Sequence, residues 1–265
     1  MTTLLPTIHY IPQQARSTKD IDIAQRRILL VAEPGEGKTY TSLTTSPSPI
    51  IIDLDNGITD QRLVKLNVPH IPLYDELYCK EVLKKNIRCN ALLEFLKVDG
   101  IKLAKDQTLI IDSLTALQDS VHEHCWSIVK KSKDTQEPDV RDYWYKIKDY
   151  WVECFTLLMR LRCHVIVTAH LAEKRDKENG LLLGYGPMID GSIRQQIGRF
   201  FTDVIRQHAR EKKVGTDKVV TEYVWQVKTD NWFKAKSRAD VDGIFIPASF
   251  NYLLNLGVTA EEKTV

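Results

Sequence analysis

The chain has 265 residues, of which 43% are apolar, so it is long enough for one substantial α/β core and we expect a single domain. Its 37 basic and 35 acidic side chains leave a formal net charge of +2, which excludes a global electrostatic attraction to nucleic acid and allows only local basic surfaces. The five cysteines are widely spaced without a C-x-x-C pair, so a disulfide framework and a zinc site are both disfavoured, and reduced thiols are expected.

Residues 1–25 are mostly polar and are predicted to form an N-terminal tail or a docking strand, with a short alternating segment at residues 7–12 that ends at Pro12. The segment lacks the regions of a signal peptide, and the chain has no run of about 18 apolar residues. We therefore expect a protein of the cytoplasm of whatever cell makes it, without a membrane partner.

Four continuous apolar runs follow, and helix-length segments separate them. Such runs are typical of strands buried on both faces of a parallel sheet. They lie at residues 28–32, 50–53, 108–112 and 164–170. Alternating strands and helices predict an α/β fold with a mostly parallel central sheet flanked by helices.

The helical segments carry apolar residues at spacings of three and four. They are predicted near residues 81–96, 114–131 and 140–161, with a break near residues 133–138. The charged, glycine-rich stretch 173–191 predicts a mobile loop. Alternating segments at residues 201–207 and 219–227 predict antiparallel strands at one edge of the sheet.

The first apolar run leads into a glycine-rich loop of the A-x-x-x-x-G-K-T pattern, which then opens a helix. Gly35 and Gly37 allow backbone N–H groups to surround phosphate oxygens. Lys38 is predicted to neutralise the β- and γ-phosphates of ATP, and the Thr39 hydroxyl to bind Mg²⁺. The predicted nucleotide-binding residues are Glu33, Pro34, Gly35, Glu36, Gly37, Lys38, Thr39 and Tyr40.

Two other apolar runs end in carboxylates. Asp112 is predicted to hold the hydration shell of Mg²⁺, although a strand-ending Asp can instead cap the next helix. Asp53 and Asp55 point the same way because strand side chains alternate. Asp55, further toward the phosphates, is favoured as the general base, with capping of the following turn by both residues as the alternative and Glu33 and Glu36 as weaker rivals.

His170 ends the fourth apolar run, next to the predicted mobile loop. From that position it could sense the γ-phosphate and transmit the signal into the loop. A strand-ending histidine is also often a hydrogen-bonded core residue, and the sequence leaves both interpretations open.

Together these segments resemble the RecA-type ATPase core. The segments 185–191, 200–204 and 234–238 look more narrowly like the phage nucleotide-binding proteins, including Sak-type single-strand annealing proteins with a RecA-like core. The resemblance covers about residues 26–250 and implies a RecA-like P-loop ATPase domain at residues 26–265.

The resemblance also implies roles for individual residues. Asp55 falls where RecA-type enzymes have a catalytic glutamate, and His170 where they have a glutamine that couples nucleotide to DNA binding. Lys236 and Arg238 resemble residues that reach into the ATP site of a neighbouring subunit, which implies a homo-oligomer with ATP at its interfaces. Without the resemblance, this basic cluster would be a solvated strand edge.

The DNA-binding loops of the family correspond to residues 173–191 here, where Tyr185 could stack on a base or close the loop. Basic residues outnumber acidic ones slightly around this stretch, which suggests phosphate contacts rather than sequence reading. They are Lys174, Arg175, Lys177, Arg194, Arg199, Arg206, Arg210, Lys212 and Lys213.

The leading hypothesis is a phage-type RecA-like ATPase that acts on single-stranded DNA, in annealing or strand exchange, with ATP switching its DNA-binding loops. One rival is a ring-shaped helicase or translocase motor. A second is a nucleotide-dependent module that binds a phage replication or single-strand-binding protein through residues 1–25 and has no DNA activity. A metabolic kinase is a weaker alternative.

Overall fold

The structure, a computed structural model, describes residues 25–81, 88–129, 139–214 and 218–256. The predicted N-terminal tail, except for Gln25, and the predicted helix break at residues 133–138 lie outside these ranges. The strands are β1 (Arg27–Ala32), β2 (Pro49–Asp53), β3 (His70–Pro72), β4 (Thr108–Asp112), β5 (His164–Arg175), β6 (Leu182–Pro187), β7 (Asp203–Val214), β8 (Lys218–Gln226) and β9 (Phe245–Pro247).

The helices are α1 (Lys38–Thr45), α2 (Gln61–Val64), α3 (Glu76–Glu81), α4 (Arg88–Val98), α5 (Leu114–Ile128), α6 (Val140–Arg160), α7 (Ile193–Gln196) and α8 (Phe250–Asn255). Of these, α1, α5 and α6 lie at predicted positions, α4 overlaps the segment predicted near residues 81–96, and the other four were not predicted. Short 3-10 helices cover Gly100–Lys102 and Ile197–Phe200. Where the chain is described, none of these helices has the length and apolar character needed to cross a membrane.

The sheet has the strand order β3-β2-β4-β5-β1-β7-β8-β9. In this spatial order, each neighbouring pair from β3 through β7 is parallel, and β8 and β9 add antiparallel strands at one edge. Strand β6 lies outside this order and pairs with β5. The predicted architecture is confirmed: a mostly parallel sheet flanked by helices, with antiparallel strands at one edge. The pairing of β7 differs in detail, because it is parallel to β1 and antiparallel only to β8.

The central strands are buried on both faces, as their continuous apolar runs require. Leu29 and Val31 belong to the core cluster on one face, together with side chains of α4, α5 and α6. Ile28 and Leu30 belong to the cluster on the other face, with Leu43 of α1 and residues of α8. Each fully buried side chain of this kind stabilises the fold by roughly 1.5–3 kcal/mol, so the two layers fix the register of β1 and the position of the loop that follows it.

The prediction of a loop over residues 173–191 is wrong for the two parts that form strands, residues 173–175 and 182–187. Strand β5 continues to Arg175 and pairs antiparallel with β6, so the two form a β-hairpin beyond the parallel sheet. The backbone N–H of Tyr185 also donates to the carbonyl of Trp232 over 2.7 Å. Gly184, one of the glycines that suggested a loop, serves close packing, because a Cβ there would lie 2.6 Å from the Trp232 carbonyl oxygen.

Candidate functional site

The loop after β1 has a backbone conformation that requires glycine at two positions. Gly35 has φ of 82° and Gly37, which precedes α1, has φ of 75°, both in the left-handed region. A Cβ at Gly37 would also lie 2.7 Å from the Tyr223 ring. Positive φ at these two glycines is the conformation that lets a loop before a helix turn its backbone N–H groups toward a phosphate.

Lys38 is the first residue of α1 and is buried. Its ammonium donates to the carbonyl oxygens of Ala32 over 3.1 Å and Glu33 over 2.9 Å, and lies 3.4 Å from Nδ1 of His170. Burial lowers the pKa of Lys38, and the nearby carboxylates of Asp112 and Glu36 oppose that shift. The ammonium is thus held inside the loop, where an anion could accept a further hydrogen bond from it.

Asp112 ends β4 beside this loop and is 4% exposed. Its Oδ2 accepts a hydrogen bond from the Thr39 hydroxyl over 2.5 Å, and its Oδ1 accepts one from the Thr168 hydroxyl. Burial, followed by the negative charge of Asp55, raises the pKa of Asp112 to about 6. Asp112 is not the helix cap considered as an alternative, because the hydroxyl of Ser113 caps α5 by accepting the N–H of Ala116.

Thr39 and Asp112 are suited to hold a magnesium ion, which would also bind the phosphates of a nucleotide. A hydroxyl and a carboxylate, the hard oxygen ligands that Mg²⁺ prefers, lie in contact at the start of α1. The buried carboxylate of Asp112 has no cationic hydrogen-bond partner among the described residues, so a divalent ion would offset its burial. Within the described ranges, no group of three His, Cys, Asp or Glu side chains is placed to hold a metal ion.

The two carboxylates at the end of β2, Asp53 and Asp55, have different surroundings. Asp53 is 1% exposed, and its carboxylate accepts the backbone N–H groups of Asp55, Gly57 and Ile58. Asp53 therefore shapes the turn. Asp55 is exposed, and its Oδ2 accepts only a 3.1 Å hydrogen bond from Ser113 among the described hydrogen bonds. The Asp55 carboxylate faces the cavity beside Asp112 and stays the predicted general base.

His170 connects the loop to the β5–β6 hairpin. Its backbone N–H donates to the Thr115 hydroxyl over 3.0 Å, and its carbonyl accepts the N–H of Met188 over 2.8 Å. Burial and the Lys38 ammonium lower the pKa of His170, so the imidazole is neutral at physiological pH. Its placement beside Lys38 is compatible with the predicted sensing role.

A cavity of about 400 Å³ joins these groups, and its outer wall is aromatic. The Tyr40 and Tyr223 ring centroids are 6.2 Å apart, and the Arg62 guanidinium lies 5.9 Å from the centroid of the Tyr40 ring. Tyr40 was predicted as a nucleotide-binding residue, whereas Tyr223 and Arg62 were not, because nothing in the local sequence shows that β8 and α2 approach the loop. Pro34 also lines the cavity, while Glu36 accepts the N–H of Glu33.

A third residue that the sequence did not reveal is Gln207, a fully buried residue of β7. Its Oε1 accepts hydrogen bonds from the Thr41 hydroxyl over 2.7 Å and from Nε1 of Trp225 over 2.9 Å, and its Nε2 donates to the Glu36 carbonyl. Gln207 thereby ties both sides of the phosphate loop to the β7–β8 hairpin. The one signal available in the sequence was a glutamine at the end of the alternating segment 201–207.

Lys236 and Arg238 do not approach this subunit's own phosphate loop. Val204 pairs with Leu29 near the start of β1 and also with Lys236, so the segment lies toward the opposite end of β1. The Lys236 ammonium donates to the carbonyls of Phe201 over 2.7 Å and Gly198 over 3.2 Å. Action on this subunit's own nucleotide is therefore disfavoured, and action on a neighbour's nucleotide stays a prediction.

Several of the basic residues predicted to contact DNA already have protein partners. Arg175 pairs with Glu173 over 2.7 Å, and Lys212 pairs with Glu222 over 2.6 Å. The guanidiniums of Arg199, Arg206 and Arg210 each lie over an aromatic ring. Because surface pairs of this kind contribute little free energy, they do not prevent these side chains from contacting phosphate.

Comparison with known proteins gives one family. Residues 24–239 match the family described as AAA domain. No curated protein matches the sequence significantly.

Similar solved structures include three with low sequence identity. They are the flagellar accessory protein FlaH from Methanocaldococcus jannaschii (13% identity, TM-score 0.35, covering 79% of this chain and 83% of that one), a prototypical ATPase from the type III secretion system of pathogenic bacteria (13%, 0.40, 68% and 51%) and the RadB recombinase (12%, 0.35, 76% and 79%). The functional argument therefore depends on the site itself.

Proposed function

Since the chain belongs to the AAA domain family of nucleotide hydrolases, we propose that it is a magnesium-dependent ATPase that couples hydrolysis to single-stranded DNA in recombination, by annealing or strand exchange. One observation carries the ATPase part of this proposal. Lys38, Thr39, Asp112 and Asp55 come from three different strand ends, and all of them line one cavity at the carboxyl edge of the sheet.

Each residue has a distinct task. The loop N–H groups and Lys38 bind and orient the phosphates, and Thr39 and Asp112 hold the cation. When bound, Mg²⁺–ATP supplies the phosphoanhydride bond and the charge that polarises it. The exposed Asp55 carboxylate accepts the proton of an attacking water, because it lines the cavity beside Asp112 and is accessible, whereas Asp112 is buried.

The coupling to DNA rests on position and charge. His170 contacts Lys38 at one end, and from it β5 continues directly into the β5–β6 hairpin. Basic side chains on that hairpin and on α7 face a common cleft. A change at the γ-phosphate can thus alter the hairpin through one continuous strand, and phosphate contact by these cations would link the two ligands.

The proposal is tested by ATP hydrolysis with and without single-stranded DNA. We expect stimulation of about tenfold or more by DNA, and loss of both basal and stimulated activity in Lys38→Ala because the phosphates lose their cation. Equal rates in the presence and absence of DNA would remove the DNA part of the proposal while leaving the ATPase. Activity that persists in Lys38→Ala would place hydrolysis in another protein of the preparation.

We further propose that the protein assembles with ATP between subunits and that Lys236 and Arg238 act on a neighbour's nucleotide. Support comes from their location at the far end of β1, from which they cannot reach their own loop. Mixing Lys38→Ala with Lys236→Ala distinguishes the arrangements. Recovery of activity in the mixture supports action in trans, whereas full activity of Lys236→Ala alone would exclude Lys236 from hydrolysis.

A further inference from the structure

The residue after Asp112 has a buried hydroxyl that no step of the proposed hydrolysis uses. Ser113 is 1% exposed and lies between the end of β4 and the first turn of α5. The backbone N–H of Leu54 donates to the Asp112 carbonyl over 2.7 Å, so the chain that leaves β2 runs alongside the chain that leaves β4. This contact brings Asp55 next to Ser113.

The Ser113 hydroxyl is both a hydrogen-bond acceptor and a donor. Its oxygen accepts the backbone N–H of Ala116 over 3.2 Å, which caps α5. A serine hydroxyl has a single hydrogen, and here it donates that hydrogen to Oδ2 of Asp55 over 3.1 Å. The helix cap therefore fixes the hydroxyl oxygen, and the fixed hydroxyl in turn fixes one oxygen of the carboxylate.

The other oxygen of the Asp55 carboxylate has open space beside it. A Cβ at Gly57 would lie 3.0 Å from Oδ1 of Asp55 and 3.8 Å from Oδ2 of Asp112, so a side chain at this position would crowd both carboxylates. Asp55, Gly57 and Asp112 line the cavity beside the phosphate loop, whereas Ser113 does not. The hydroxyl thus holds the carboxylate without occupying the space in which a water molecule would react.

Asp55 depends on this contact for its orientation. Its side chain is exposed, and its carboxylate makes no other hydrogen bond within the described residues. An exposed carboxylate without a fixed partner samples several rotamers, and only some of them direct an oxygen into the cavity. Because a displacement of about 1 Å in a reacting group can reduce a rate roughly 100-fold, the loss of one orienting hydrogen bond can have a large effect on catalysis.

We propose that Ser113 is a positioning residue for ATP hydrolysis, which holds the Asp55 carboxylate in the orientation that accepts a proton from water. The inference rests on the proposed function for the role of Asp55 as the general base. Ser113 acts through Asp55 and does not line the nucleotide cavity. Its removal should therefore lower kcat rather than the affinity for ATP, and only while a carboxylate is present at position 55.

The test is a double-mutant cycle of Ser113→Ala and Asp55→Asn, with kcat and the Kd for ATP measured for all four proteins. In the wild-type background, we expect Ser113→Ala to reduce kcat about 10–100-fold and to leave the Kd within about threefold. In the Asp55→Asn background, the same substitution should change kcat by less than about twofold, because no general base remains to be oriented.

Ser113→Ala also removes a helix cap, and Ser249→Ala is the matched control for that loss. Ser249 caps α8 by accepting the N–H of Tyr252 over 3.2 Å, and it does not line the cavity. Both substitutions should lower the free energy of unfolding, but only Ser113→Ala should lower kcat. Ser113→Thr keeps a hydroxyl at this position and is expected to recover most of the rate that Ser113→Ala loses.

Wild-type kcat in Ser113→Ala would overturn the inference while the ATPase and its general base stand. A loss of equal size in both backgrounds would also overturn it, because the loss would then come from a distorted site and not from Asp55. If Asp55→Asn alone hydrolyses ATP at the wild-type rate, the general-base part of the proposed function fails, and the inference fails with it.

Discussion

At the scale of single residues, the site is organised around a carboxylate whose charge is unfavourable without a ligand. Asp112 is almost fully buried, contacts two threonine hydroxyls and has Asp55 as an electrostatic neighbour. Together, burial and this neighbour raise its pKa from 3.8 to about 6. Burial of this carboxylate therefore carries an electrostatic cost that binding of a cation would remove.

Asp112→Asn should therefore stabilise the ligand-free protein at neutral pH. Between pH 3.8 and about 6 the folded state binds its proton more tightly than the unfolded state, so stability from this group falls as the pH rises. Asn at position 112 does not ionise, so the variant does not lose this stability. It should therefore be more stable than the wild type above pH 6, by up to about 3 kcal/mol in the free energy of unfolding.

The measurement is urea unfolding in EDTA at about pH 4 and about pH 8, with the difference between the two proteins compared at each pH. At the lower pH the difference should nearly vanish. In the same variant, affinity for Mg²⁺–ATP should fall because a cation ligand is lost. A variant less stable than the wild type at the higher pH would show that the Asp112 carboxylate is not a source of strain.

The sequence was sufficient to predict candidate site residues where a short local pattern marks them. Lys38 and Thr39 follow from the spacing of the glycine loop, and Asp112 and Asp55 from their positions after apolar runs. Gln207 and Tyr223 could not be found in this way, because their contacts with the loop join positions more than 160 residues apart in the chain. Only the folded sheet brings them together.

At the scale of elements, two hairpins extend from the sheet and contact the nucleotide site from different sides. The β5–β6 hairpin continues from His170, and the β7–β8 hairpin supports the phosphate loop through Gln207 and Trp225. The sequence indicated the strands of the second hairpin by alternation. It failed on the first because Gly180, Gly184 and Gly186 are typical of loops, and the pairing that overrides this preference is a tertiary effect.

Gln207→Leu should weaken nucleotide binding through the loop rather than by direct contact. The substitution leaves the Thr41 hydroxyl, the Trp225 N–H and the Glu36 carbonyl without their buried partner. We expect a loss of about 1–3 kcal/mol in the free energy of unfolding and a KM for ATP raised about tenfold, with a smaller change in kcat.

Gln226→Leu is the matched control, since Gln226 is also a buried glutamine of this hairpin but contacts His208 and Lys228 instead of the loop. It should reduce stability without raising KM. Equal effects of both substitutions on KM would mean that hairpin stability alone, rather than the Gln207 contacts, sets the loop conformation.

At the scale of the whole molecule, function follows from the parallel sheet. Parallel pairing places the carboxyl ends of β1, β2, β4 and β5 at one edge, where the loop lysine, two carboxylates and His170 meet. The continuous apolar runs predicted this arrangement, because a strand that is apolar on both faces belongs inside a parallel sheet covered by helices on both sides. The order of the added strands was not predictable, because it depends on long-range pairing of β7 with β1.

The central claim, that these strand ends form one hydrolytic centre, is tested most directly by Asp55→Asn. We predict that kcat for ATP falls about 100-fold or more while the Kd for ATP stays within about threefold, because the general base is lost and the phosphate contacts remain. Asp53→Asn is the control, since Asp53 shapes the turn and should affect stability more than kcat. Hydrolysis by Asp55→Asn at the wild-type rate would contradict the assignment.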